Sequence, residues 1–109
     1  KSTHPHHPCT RWTGDTSTNF DWLCRHGLAL CHEYYFRYRK IHACQKPIDE
    51  MRRANLAHEV LPIGDQTPFS QAVPDVFKSD NAVKAYRSYY KTKHFAKWKM
   101  GRSAPAWWE

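Results

Sequence analysis

The sequence predicts a mainly α-helical protein: a compact three-helix single domain with extended N- and C-terminal segments and a proline-rich connection. Three observations carry that expectation. Apolar residues recur at three-and-four spacing through Phe20, Leu23, Cys24, Leu28, Cys31, Tyr35 and Tyr38, the period of one helix face. Prolines at 47, 62, 68 and 74, with capping residues at 17, 18, 79 and 80, divide the remainder into helix-sized pieces. No stretch alternates apolar and polar residues in the way a half-buried strand requires.

Residues 1–18 are expected to be extended or looped, because Pro5, Pro8 and Gly14 interrupt a stretch rich in Thr and His. The first helix, about residues 19–41, has Ser17 or Thr18 as cap and Asp21 three beyond Thr18 as a partial capping box. Its small Gly27 lies inside the apolar stripe, where another backbone could come close. On the opposite side stand Trp22, His26, Glu33, Arg37 and Lys40. A tryptophan among charges suggests that the face of Trp22, His26, Glu33 and Arg37 is where a missing upstream segment packs. The second helix is expected from Pro47 to about Val60, with Pro47 in its first turn, Asp49 and Glu50 near its positive end and Pro62 beyond it. Residues 61–78 then form an irregular connection packed by Phe69, Val73, Val76 and Phe77. The third helix starts after Ser79 or Asp80 and runs to around Lys99, turning Val83, Tyr86, Tyr90 and Trp98 inward. Pro105 keeps the final "APAWW" extended.

A chain of 109 residues suits one helical domain over 1–109. No apolar run approaches the roughly 18 residues a bilayer span needs, and the first residues lack the apolar centre of a signal peptide, so no membrane association is expected. The chain opens on Lys1 rather than Met, which predicts an upstream N-terminal segment, removed, carried on a second chain or left unnumbered. Of the four cysteines, Cys24 and Cys31 sit seven apart on one helix face as buried thiols do, which favours reduced cysteines inside a cell. The formal net charge of +7 calls for an anionic partner, nucleic acid ahead of acidic protein or a membrane surface.

That charge is concentrated. Between Val83 and Trp108 stand Lys84, Arg87, Lys91, Lys93, Lys97, Lys99 and Arg102, seven cations with no Asp or Glu among them. On a helix Lys84, Arg87 and Lys91 share a face that phosphates could line. Tyr89, Trp98, Trp107 and Trp108 are candidates to stack on bases, at roughly 1–3 kcal/mol per base. The competing explanation is a solvated cationic helix whose aromatics close the core against the first helix. In "HPHHPC" the side chains of His4, His6, His7 and Cys9 are all capable of ligating zinc, but their spacing matches no common finger, so no metal or other cofactor is expected. For acid and base work Glu33 is the candidate, beside His26 and with Arg37 four residues on to hold it ionised; the same spacing also describes a plain surface ion pair. There is no G-x-S-x-G, phosphate-cradling glycine loop or H-E-x-x-H, which argues against a serine hydrolase, an NTPase or a zinc protease.

Taken together, "HHPCTRW", "NFDWLCRHGLALCHEYYFRYRKIH" and "AVKAYRSYYKTKHFAKWKMGRSAPAW" resemble a family of small proteins encoded by bacteriophages and marine viruses, over nearly the whole chain. Members look like "NHPC..W", a Trp-containing helix, "ALC.EY..RY.K.H", a proline-containing connection, and "AYR.YY....FA.W" ending in "P.W". Arg39 stands where that family often has glycine, so the exit from the first helix is expected to differ. The family is distantly similar to the phage pyrimidine-dimer DNA glycosylases, through "HHP" at His6–Pro8, the aromatic helix after Asn19, and Tyr35–Lys40 with a basic aromatic C-terminus. The resemblance implies a compact helical protein of DNA base-excision repair, in which an N-terminal amine attacks the sugar and a carboxylate assists. Family members carry those groups in a segment ahead of "HHPC", so neither is assigned to a residue of this chain.

The expected function is therefore phage-type DNA binding in the cytoplasm of a host cell, with Arg87, Lys91, Lys93, Lys97, Lys99 and Arg102 on phosphates. Trp98, Trp107 and Trp108 are its base or core contacts. The rival class is a non-enzymatic phage protein whose basic tail docks an acidic protein partner. A third is a small metalloprotein built on the N-terminal His and Cys residues.

Overall fold

The computed structural model describes residues 6–54, 57–98 and 100–108. It is mainly α-helical, as expected, with no strand among the described residues. The sequence reading took the chain as one domain; the structure divides it into two compact units, Lys1–Thr67 and Pro68–Glu109.

In the first unit the N-terminal stretch corrects the expectation. Residues 1–18 are not extended throughout: helix α1 spans Pro8–Asp15. Pro8 occupies the first turn, where a missing N–H costs nothing, and His7 caps the helix by accepting the Cys9 N–H at Nδ1, 3.0 Å away. A proline read as a breaker is thus a starter.

Helix α2 spans Ser17–Tyr38. Its cap is Thr16, one residue before the expected pair, whose Oγ1 accepts the Asn19 N–H at 3.0 Å. It ends where Arg39 takes the left-handed conformation, φ 55°, and donates its N–H to the Tyr35 carbonyl at 2.7 Å. A left-handed closing residue is the position glycine fills most cheaply. Arg39 offsets the cost by placing its guanidinium 5.9 Å and 5.7 Å from the ring centres of Tyr35 and Phe36.

Helices α3, Gln45–Ala54, and α4, Ala57–Val60, stand where one helix from Pro47 to Val60 was expected, with residues 55 and 56 outside the described set. Helix α2 packs against α1, α3 and α4. Of its expected stripe Cys24 and Cys31 are buried, whereas Leu23, Tyr35 and Tyr38 remain more than two-fifths exposed. Gly27 does admit a close neighbour, the Ile48 side chain of α3 rather than a backbone: an added Cβ would meet Ile48 Cδ1 at 2.9 Å. Gly27→Ala is expected to change stability by less than about 1 kcal/mol, because a helix-propensity gain of about 1 kcal/mol opposes the displaced methyl. Gly27→Leu has no such compensation and should lose about 2 kcal/mol or more in urea unfolding.

The unit is closed by Asn19, fully buried. Its Nδ2 donates to the Trp12 carbonyl at 2.7 Å and to Thr67 Oγ1 at 2.9 Å, while its Oδ1 accepts the Thr67 N–H at 3.0 Å. Ser17 N–H to Pro62 O, at 2.9 Å, and Thr18 Oγ1 to Gly64 O, at 2.6 Å, fasten the same strap of chain. Residues 62–67 therefore run along the start of α2. On the face opposite Cys24, Trp12 of α1 meets Trp22 edge-on, ring centres 5.7 Å apart, and Trp22 stacks on His26 at 4.8 Å and 10°. Trp22 is met by α1 of this same chain, where a missing upstream segment was expected.

None of the four cysteines forms a disulfide; Cys9 and Cys44 are exposed and Cys24 and Cys31 buried. Burial pushes the Cys24 and Cys31 thiols up, assisted by Asp21 at Cys24 and by Cys44 and then Asp49 at Cys31. A thiol harder to ionise folded than unfolded stabilises the fold fully below its unfolded value, roughly 8.5, and that contribution is lost as pH rises beyond it. Ellman's reagent at pH 8 should accordingly label Cys9 and Cys44 fast and the other two only with unfolding; four equally fast thiols would contradict the packing.

In the second unit Gln71 bridges the proline-rich connection, its Nε2 donating to Ser79 O at 2.6 Å and its Oε1 accepting the Ser79 N–H at 3.0 Å. A 3-10 turn, Asp75–Phe77, packs against helix α5, Ala82–Tyr90, which Asn81 caps by accepting the Lys84 N–H at 3.1 Å. Val73 is buried and Phe77 half-buried, as expected of the connection, but Val76 is 83% exposed. The third helix ends nine residues short of Lys99. Its buried residue is Ala85, whereas Val83 and Tyr90 are 43% and 45% exposed. Tyr86 does turn inward, donating to Ser70 O and accepting the Ala72 N–H at 2.9 Å. Beyond it, short turns carry the chain past Thr92 and Ala96, and the end closes as a 3-10 turn, Ala106–Trp108, rather than extending.

Candidate nucleic-acid interface

Helix α5 places Lys84 and Arg87 on exposed positions, and Lys91 continues them as its C-cap in right-handed helical conformation. The expected shared face of these three is present. Lys93, Lys97 and Arg102 fall in the turns after the helix; Lys97 and Arg102 are exposed and Lys93 is half-buried. Lys93 is held in place: its Nζ lies 3.0 Å from Tyr89 Oη and 4.3 Å from that ring's centre. Lys99 lies outside the described residues. Lys78, also in this unit, is engaged by Asp75 at 2.9 Å, whose carboxyl it holds below the usual carboxylate range.

The tryptophans fold together. Trp98 meets Trp108 edge-on with ring centres 5.1 Å apart, and Trp107 and Trp108 are tilted against each other at 5.7 Å. Arg87 of α5 places its guanidinium 5.2 Å from the Trp107 ring centre, within cation–π reach. Trp107 and Trp108 are half-buried and Trp98 is 36% exposed. The cluster fixes the C-terminal turn to α5, so that cations separated by up to eighteen positions, from Lys84 to Arg102, belong to one compact unit. Tyr89, a candidate to stack on a base, tilts against Phe77 at 5.4 Å.

The other candidates lie in the first unit. Arg37 Nε donates to Glu33 Oε2 at 2.7 Å, the expected pair, with the two side chains 22% and 33% exposed. His26, expected beside Glu33, is stacked on Trp22. His6 Nδ1 lies 3.3 Å from Arg11 Nη2, and His7 Nδ1 caps α1, so both imidazoles have structural tasks; His4 is outside the described residues. Among the described residues no group of three His, Cys, Asp or Glu side chains is arranged to hold a metal ion, and no helix is long and apolar enough to cross a membrane.

Sequence reasoning missed one constellation. Asp21 receives Arg25 Nε at 2.9 Å on one oxygen and Arg52 Nε at 3.4 Å on the other. The i,i+4 spacing of Asp21 and Arg25 was visible; Arg52 arrives from α3, which no local pattern announces.

The fold and this site define a mainly helical protein with a basic, aromatic C-terminal unit. No protein-family model matches the chain, and no curated protein or solved structure is significantly similar to it.

Proposed function

We propose that this chain is a DNA-binding protein of phage type, related to the pyrimidine-dimer DNA glycosylases, acting in the host cytoplasm. One observation carries the reading: seven cations and no carboxylate between Val83 and Trp108, with Lys84, Arg87, Lys91, Lys97 and Arg102 exposed around a tryptophan cluster. Solubility does not require such one-sided charge, whereas a phosphate backbone does. Trp98, the most exposed of the three tryptophans, is assigned to base contact, and Trp107 and Trp108 to holding the cationic surface together. No residue of this chain is assigned a chemical step.

A glycosylase-like protein extrudes its target, and extrusion costs less where ultraviolet damage has already disturbed the stack. Irradiated duplex should therefore bind about tenfold tighter than intact duplex of the same sequence, measured by fluorescence anisotropy. Equal affinities would leave DNA binding and remove the repair reading. Salt-sensitive capture of an acidic protein, with no DNA binding, would put the interaction-protein class in its place.

A further inference from the structure

We infer that Arg25, Arg52 and Asp21 form a second clasp for the DNA backbone, on the first unit. The inference rests on the nucleic-acid reading. Asp21 and Arg25 lie one turn apart on α2, and Arg52 reaches the same carboxylate from α3. Each arginine turns its Nε edge to Asp21, at 2.9 Å and 3.4 Å, and no other acceptor engages either guanidinium among the described residues. Their Nη groups thus remain for an incoming ligand, and planar guanidinium forks suit the oxygens of a phosphodiester.

Charge and geometry agree. Two cations against one anion leave a net charge of +1 at the seam, and both Asp21 oxygens already face arginines, which screens the phosphate from the carboxylate. The seam is fixed by Gly27, whose missing side chain lets Ile48 of α3 settle on α2. The separation of the two arginines is consequently set before binding. The three side chains are between 39% and 54% exposed, open to a ligand yet aligned by contact. Stability alone does not explain the arrangement, because exposed ion pairs contribute about 0–1 kcal/mol and a single arginine would already satisfy Asp21.

The test titrates a 20-base-pair duplex against the full chain and its variants over a range of salt, with helicity and melting temperature as folding controls. Arg25→Gln/Arg52→Gln keeps good helix formers and removes both cations. Its salt slope should fall by about two and its affinity at 0.15 M salt by about 30-fold. Asp21→Asn separates the clasp from general attraction: raising the net charge alone would tighten binding, whereas loss of the aligning carboxylate should weaken it several-fold. An unchanged slope in the double variant, or tighter binding by Asp21→Asn, would overturn the clasp while leaving DNA binding intact. A parent protein that does not bind duplex would overturn both. Inorganic phosphate at constant ionic strength distinguishes the remaining source: if it raises the parent's melting temperature, not the double variant's, and duplex affinity is equal in both, the ligand is the free ion and the backbone assignment fails.

Discussion

Asn19→Ala should lower the unfolding free energy of the first unit by about 4 kcal/mol, close to half the stability of an ordinary domain. Three hydrogen bonds disappear with the amide, and the Trp12 carbonyl and the Thr67 N–H lose partners they cannot readily replace with water. A buried backbone group left unpaired costs about 1–3 kcal/mol, so the buried Trp12 carbonyl, the part-buried Thr67 N–H and a small cavity together reach the stated figure. Urea unfolding followed by tryptophan fluorescence measures it; a loss below about 1 kcal/mol would mean that water enters and restores both bonds. The Asn19→Asp variant adds a pH signature. A carboxyl buried there resists ionisation, so its folded pKa stands above its unfolded value of about 3.9. The variant should be least impaired below that value and lose stability as pH rises through its elevated folded one.

The second large effect concerns DNA. Replacing Lys84, Lys91, Lys97 and Arg102 together by Ala removes four exposed cations without touching the Arg87–Trp107 contact. Four phosphate contacts contribute a salt slope of about 3.6, so affinity at 0.15 M salt should fall by about 1,000-fold. Trp107→Ala should weaken binding differently, by loosening the surface that carries the cations, and its slope should stay closer to the parent's. A quadruple variant that binds as the parent does would dismiss the C-terminal unit as the grip on DNA.

What the sequence revealed depended on how local the responsible physics was. Helix α2 was legible because its period persists over six turns and Cys24 and Cys31 face one way. The Glu33–Arg37 pair was legible for the same reason, being one turn apart. Helix α1 was hidden by Pro8 and Gly14, residues whose meaning depends on position: at the first turn a proline assists the helix that it would break further in. The end of α5 was missed because the aromatic rhythm from Tyr86 to Trp98 continues past Tyr90, although those rings serve turns as well as a helix. Least visible were contacts joining distant residues, Asn19 with Thr67 and Asp21 with Arg52, which require the fold before they exist. The cationic segment could be read from composition alone; the closure of its tryptophans on Arg87 could not.

The division of the five tryptophans between the two units has an optical consequence. Trp12 and Trp22 belong to one unit and Trp98, Trp107 and Trp108 to the other. Replacing either set by phenylalanine gives the chain a separate built-in lamp for each half.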